Sequence, residues 1–154
     1  MKGIVLALAL MTAILAAAAA SGETAIPRFV EETAPSGLAH SFTGEWTFMV
    51  GGGAAVFDCN GDLRPEVLLA GGTAPAQLFR NDSAPGGALA FAALPDSGLA
   101  IDQVSGAWPL DIDGDGITDL ALLRVGPDRL MRGLGDCRFE DASADWGFDE
   151  LDLW

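Results

Sequence analysis

Apolar residues come in short runs along most of this chain, and clusters of Gly, Pro, Asp, Asn and Ser separate them. The runs are Phe48–Val50, Ala54–Phe57, Val67–Ala70, Gln77–Phe79, Leu89–Leu94, Leu120–Val125 and Arg129–Met131. No segment places apolar residues at i, i+3, i+4 and i+7 over three turns, as an amphipathic helix would. Short runs bounded by turn formers are the pattern of strands, so the expected fold class is all-β.

The first twenty residues follow a different pattern. Lys2 is followed by an uncharged apolar run, Gly3–Leu15, and then by small residues, Ala16–Ala20. A positive start, an apolar run and an Ala-x-Ala region make a signal peptide. Cleavage is expected after Ala20, with Ala25 the second choice. The stretch Gly3–Ala20 barely reaches spanning length, and its alanine-rich half is weakly hydrophobic, so no membrane span is expected after cleavage. The mature chain, residues 21–154, is expected in the periplasm or outside the cell.

The strand pattern repeats. Ala55-Val56-Phe57-Asp58-Cys59-Asn60-Gly61-Asp62 lines up with Trp108-Pro109-Leu110-Asp111-Ile112-Asp113-Gly114-Asp115, 53 residues later. Val67–Ala70 then matches Leu120–Leu123, and Gln77–Asn81 matches Arg129–Gly133 at nearly the same offset. A Phe-led element occurs three times: Phe29 with Gly37-Leu38, Phe91 with Gly98-Leu99, and Phe139 with Gly147-Phe148. Four short strands in fifty-odd residues make one four-stranded antiparallel propeller blade. The chain is therefore expected to hold about two blades, near residues 48–95 and 104–143. A Phe-led strand near 27–38 is expected to precede them.

Charge narrows the candidate partners. The full chain carries a net charge of −14. Removing the leader removes the one lysine and leaves seven arginines against twenty-two acids. Nucleic acid is excluded as a partner, because its phosphates would be repelled. Seven of the twenty-two acids fall in the two loops that follow Phe57 and Leu110, which suggests ligands more than a diffuse solvating coat.

The second loop runs Asp111-Ile112-Asp113-Gly114-Asp115-Gly116-Ile117-Thr118-Asp119. Carboxylates stand at positions 1, 3, 5 and 9, and the carbonyl of Ile117 is available at position 7. Calcium takes six to eight hard oxygens, and alternate residues of a tight loop can aim theirs inward. The first loop offers Asp58, Asn60, Asp62, the carbonyl of Arg64 and Glu66. It has three carboxylates, and Leu63 stands where the second loop has Gly116, so it is expected to be the weaker site or a structural turn without metal. An EF-hand is excluded, because position 12 would need a bidentate Glu and is Leu69 in one loop and Leu122 in the other.

Cys59 and Cys137 are the chain's two cysteines, and export permits one disulfide between them. Cys59 sits in the turn between strands one and two of its blade. Cys137 sits in the turn between strands three and four of the next, and a meander places both turns at the same end. Two unpaired thiols remain the other reading.

The segments Val56–Asp62 and Leu110–Leu120 resemble the FG-GAP/VCBS-type repeat, the blade unit of integrin α-chain propellers. The opening Phe29–Leu38, followed by Gly51–Val56, resembles the start of the ASPIC/UnbV (cartilage acidic protein-like) branch. The resemblance implies a propeller of about seven blades, calcium in the loop joining a blade's first two strands, a binding or adhesion role and no catalytic residues. The expected function is therefore a calcium-stabilised extracytoplasmic binding or scaffold module, not an enzyme. Its partner would be a protein or glycan of unknown identity. The alternative is a fragment of a propeller-based hydrolase using the clustered carboxylates. Two blades leave open edges. The chain is therefore expected either to be the N-terminal part of a longer propeller or to complete its blades in trans.

Overall fold

The computed structural model describes residues 26–148. The expected leader, residues 1–20, and residues 149–154 lie outside them. Eight strands build two four-stranded antiparallel sheets, each a meander in chain order. The first sheet holds β1 (Ala54–Phe57), β2 (Glu66–Leu69), β3 (Gln77–Asn81) and β4 (Phe91–Ala93). The second holds β5 (Val104–Leu110), β6 (Asp119–Arg124), β7 (Arg129–Gly133) and β8 (Phe139–Asp141). These are two propeller blades.

The pairing register preserves the sequence repeat. Ala55 pairs with Leu68 and Val56 with Val67 in the first blade; Trp108 pairs with Ala121 and Pro109 with Leu120 in the second. Leu68 then pairs with Leu78, and Ala121 with Leu130. Alternate residues of a strand face opposite sides of the sheet, so each blade has two distinct faces.

The core lies between the blades. Ala55, Phe57, Leu68 and Leu78 share one face of the first blade. They form a buried cluster with Leu120, Leu122, Met131 and Phe139 from the second. The rings of Phe57 and Phe139 meet edge to face with centroids 6.0 Å apart. Burial of each large side chain contributes about 1.5–3 kcal/mol. Backbone hydrogen bonds also cross the junction: Gly53 N donates to Ser105 O at 2.8 Å, and Ala76 N to Ile101 O at 2.8 Å. Gly72 donates to Val104 O at 3.0 Å and accepts from Gln103 N at 2.6 Å.

The expected Phe-led strand near 27–38 is not formed. Thr33–Ser36 make a single helical turn, ended by Gly37 in the left-handed conformation, and Ser36 Oγ donates to Thr33 O. The Phe-led strands β4 and β8 each pair with the strand just before them in the chain. Phe29 has no such hairpin partner among the described residues, and Pro35 lacks the amide a ladder needs. The glycines of the threefold element do recur structurally. Gly37, Gly98 and Gly147 are left-handed, at φ 86°, 85° and 68°. The run Phe48–Val50 is likewise not a strand, because Trp46–Phe48 form a 3-10 turn.

Candidate metal centre

The two acidic loops link β1 to β2 and β5 to β6. Their backbones are shaped by their own carboxylates, in the same pattern. In the second loop the Asp111 carboxylate accepts from Gly114 N at 2.8 Å and Gly116 N at 3.2 Å. Asp113 Oδ1 accepts from Asp115 N, and Asp115 Oδ1 from Ile117 N. In the first loop Asp58 accepts from Gly61 N at 2.8 Å and Leu63 N at 2.9 Å. Asn60 Oδ1 accepts from Asp62 N, and Asp62 Oδ1 from Arg64 N. Short polar side chains bonding the amide two residues on are Asx-turns, and they give the two loops the same local shape.

Position 6 requires a left-handed residue in both loops. Gly116 takes φ 83°, and Leu63 takes φ 63°. Glycine does so freely, whereas leucine is strained by about 1–2 kcal/mol.

The second loop gathers its first three acids. Ligand oxygens of Asp111, Asp113 and Asp115 lie within 4.8 Å of one another, and all three residues are exposed. No bond links them to one another. The nearest cationic group is Arg132, whose Nε stands 3.6 Å from Asp113 Oδ2. Arg132 also contacts Glu140 and Asp145 and lies over the Trp146 ring. Ile117 is half-buried beside the cluster.

Position 9 does different work from what its spacing suggested. Asp119 is 1% exposed. Its Oδ2 accepts from Ile112 N and its Oδ1 from Gly133 N, each at 2.8 Å. Glu66 is fully buried and ties the first loop in the same way, accepting from Cys59 N at 3.1 Å and Asn81 N at 3.4 Å. Burial pushes the Glu66 carboxyl above its ordinary range, although the two amides draw it down. Both residues begin a strand beneath their loop and anchor the loop to the third strand of the same blade. Neither stands in the exposed acidic cluster.

The first loop does not gather its acids in the same way. Arg64 turns its guanidinium back onto Asp62, with Nη2 at 2.6 Å and Nε at 3.1 Å from Oδ2. Hydrogen bonding to Arg64 holds the Asp62 carboxyl below its ordinary range. Asn60 replaces the second carboxylate. Reading Arg64 only as a carbonyl donor missed this internal counter-charge; its place two residues after Asp62, where the second loop has Ile117, was the available signal.

Cys59 and Cys137 are bonded, with Cα atoms 4.8 Å apart, and join the first loop to the β7–β8 turn of the other blade. Cys137 N also donates to Cys59 O at 3.3 Å. Asp136 and Cys137 are both left-handed, at φ 50° and 59°. Glu66 converges on the same two cysteines, but their sulfurs are bonded to each other and offer no thiolate. A groove of about 310 Å³ separates the two acidic loops, with Asp58 and Asn60 on one side and Gly116, Thr118 and Asp136 on the other.

Residues 58–122 match the FG-GAP-like repeat family. The match runs from the first residue of the first acidic loop, through the junction between the blades, to the middle of β6. No curated protein and no solved structure matches the chain significantly. Two antiparallel four-stranded sheets and this similarity suggest a propeller-type binding or scaffold module.

Proposed function

We propose that this module is extracytoplasmic and stabilised by calcium, with no catalytic activity of its own. The second loop is the principal site, and Asp111, Asp113 and Asp115 are its ligands. The observation that carries this reading is the convergence of those three exposed carboxylates within 4.8 Å. Three mutually repelling charges held by glycine-permitted turns are relieved by a hard divalent cation. The carbonyl of Ile117 adds to the set, and Asp119, at the ligand spacing of position 9, holds the loop in shape through Ile112 and Gly133. The first loop is the weaker site, since Arg64 already neutralises Asp62. The calcium would stiffen the end of the blades where the disulfide also lies.

The leader-like residues 1–20 and the Cys59–Cys137 bond both favour an oxidising compartment, the periplasm or the extracellular space. No helix among the described residues is long and apolar enough to cross a membrane. The partners are a protein or glycan ligand and further propeller blades, supplied in cis or in trans. The resemblance of residues 29–56 to the ASPIC/UnbV branch points the same way.

Hydrolysis by clustered carboxylates would need a protonated carboxyl facing a cleft. Glu66 has the raised affinity for a proton, but it is fully buried with both oxygens on backbone amides. The exposed acids sit in metal-like array instead. A thermal-shift titration tests the reading: calcium should raise the melting temperature, because it binds only the folded loop. An unchanged melting temperature at millimolar calcium removes it.

A further inference from the structure

Glu66 and Asp119 are the same anchor in the two blades, but they differ in length and in what stands beside them. At position 2 of its loop the second blade has Ile112, and the first has Cys59. Glu66 is one methylene longer than Asp119. Its Oε2 stands 3.1 Å from Cys59 N and 3.2 Å from Cys59 Sγ, and its Oε1 accepts from Asn81 N. The two sulfurs and a carboxylate oxygen of Glu66 lie within 4.8 Å of one another. All three residues are buried, with Glu66 0%, Cys137 4% and Cys59 8% exposed.

This group offers no thiolate while its sulfurs are bonded to each other. Two electrons change that. A dithiol attacks one sulfur as its thiolate, forms a mixed disulfide, and leaves as its own disulfide when its second thiol displaces the protein sulfur. The protein gains two thiols as the dithiol loses two hydrogens. Cys59 lines the groove of about 310 Å³ between the acidic loops. Cys137 lines a cleft of about 180 Å³ with Leu94, Pro95, Asp96 and Arg138. A small dithiol therefore has a way in to both residues.

The reduced group has the make-up of a metal site. Two thiolates and a carboxylate suit a borderline-soft ion such as zinc, and thiolates are poor ligands for calcium or magnesium. Zinc binds sulfur at about 2.3 Å, so a tetrahedral ion needs the sulfurs to part to roughly 3.8 Å. The Cα atoms are 4.8 Å apart, and side-chain rotation supplies most of that separation. The turn that carries Cys137 supplies the rest. Asp136 and Cys137 are left-handed there, at φ 50° and 59°, a backbone that non-glycine residues adopt only at a cost and that the bond no longer enforces after reduction. The Cys59 and Asn81 amides already orient Glu66, as outer-shell donors orient a ligating carboxylate. Each of its oxygens keeps a second lone pair for an ion.

We propose that reduction of the Cys59–Cys137 bond by a dithiol converts this junction into a zinc-type site, with Cys59 Sγ, Cys137 Sγ and Glu66 as ligands and water from the groove in the fourth position. On binding, the ion displaces the two thiol protons and ties together the same two loops that the bond tied. The oxidised chain and the metal-bound chain are thus two forms of one junction, and an oxidising compartment favours the first. The site is separate from the Asp111–Asp113–Asp115 cluster and does not rest on the calcium reading.

Cobalt(II) is the probe, because its thiolate complexes absorb in the near ultraviolet and its tetrahedral complexes in the visible. The full chain, reduced with a phosphine that is then removed, should take up one cobalt ion and show both absorptions. The unreduced chain should show neither. Zinc should displace the cobalt and bleach the bands. Cys137→Ser should lose about half of the thiolate absorption or more, and Glu66→Gln should weaken cobalt binding by about tenfold or more. If Glu66→Gln loses its sheet signal in far-UV circular dichroism, Glu66→Asp is read in its place, since it draws the carboxylate back to the reach of Asp119. If the reduced chain itself loses that signal, zinc should restore it and magnesium should not, because a structural ion folds the ligands it binds. A reduced, folded chain without thiolate–cobalt absorption overturns the proposal, as does a reduced, unfolded chain that zinc does not refold, or the same absorption in the unreduced chain. Undiminished absorption in Cys137→Ser, or undiminished affinity in the Glu66 variants, overturns the ligand set. A missing thermal shift with calcium would count against the cation reading of the second loop and leave these results standing.

Discussion

The two acidic loops share one hydrogen-bonded frame and differ in what that frame carries. In both, position 1 accepts from the amides of positions 4 and 6, position 3 from position 5, and position 5 from position 7. In both, a buried acid at position 9 accepts from position 2 and from the third strand. The second loop brings three carboxylates close together with no cationic side chain inside the loop to neutralise them. The first replaces one with Asn60, neutralises another with Arg64, strains Leu63 where the second loop has Gly116, and is tied to the neighbouring blade by Cys59. The shared frame is therefore folding chemistry, and the differences are what support the second loop as the proposed principal cation site.

The largest expected effect concerns the tie. Replacing both cysteines with alanine should lower stability by about 4 kcal/mol in the chain-entropy model, because the bond closes a long loop; the bridged residues are 78 positions apart. Denaturant unfolding measures the loss, and calcium affinity of the untied second loop should survive it. A loss of calcium affinity equal in both loops would break the comparison.

Next come the anchors. Glu66→Ala and Asp119→Ala each strand two backbone amides, Cys59 and Asn81 in one case and Ile112 and Gly133 in the other. Each should cost about 3 kcal/mol, read as a lower unfolding midpoint without calcium. Clearly unequal costs would show that position 9 is not the same device in both loops.

Backbone strain is a smaller handle, and it should act with opposite signs. Leu63→Gly should stabilise the chain by about 1 kcal/mol or less, and Gly116→Leu should destabilise it by about 1–2 kcal/mol. Smallest of all is the counter-charge. Arg64→Gln should change stability little, since the pair is partly exposed, but should tighten calcium binding in the first loop a few-fold. No gain there would mean that Asn60, and not Arg64, sets the difference between the loops.

The all-β fold was legible because six of the eight blade strands coincide with a short apolar run between turn formers, and the 53-residue offset survives in the pairing register. Local chemistry was legible too: Leu63 stands where the second loop has Gly116, and both adopt a positive φ that only the glycine takes freely. What escaped the sequence was set by partners distant in the chain or by side-chain direction. Phe29 begins like Phe91 and Phe139, yet whether a Phe-led segment becomes a strand depends on a hairpin partner in front of it. Asp119 has the spacing of a ligand, yet its burial at the start of β6 turns both oxygens toward amides 7 and 14 residues away. Spacing also cannot tell an arginine that offers its carbonyl from one that offers its guanidinium, as Arg64 shows.

The central claim is that the second loop is the principal cation site and the first the weaker one. Calorimetric titration of calcium into the full chain, into Asp113→Ala and into Asn60→Ala tests it most directly. The account predicts that Asp113→Ala abolishes the tighter binding step and that Asn60→Ala leaves it in place. Equal losses from the two substitutions, or no binding heat and no thermal shift in the unaltered chain, would contradict it.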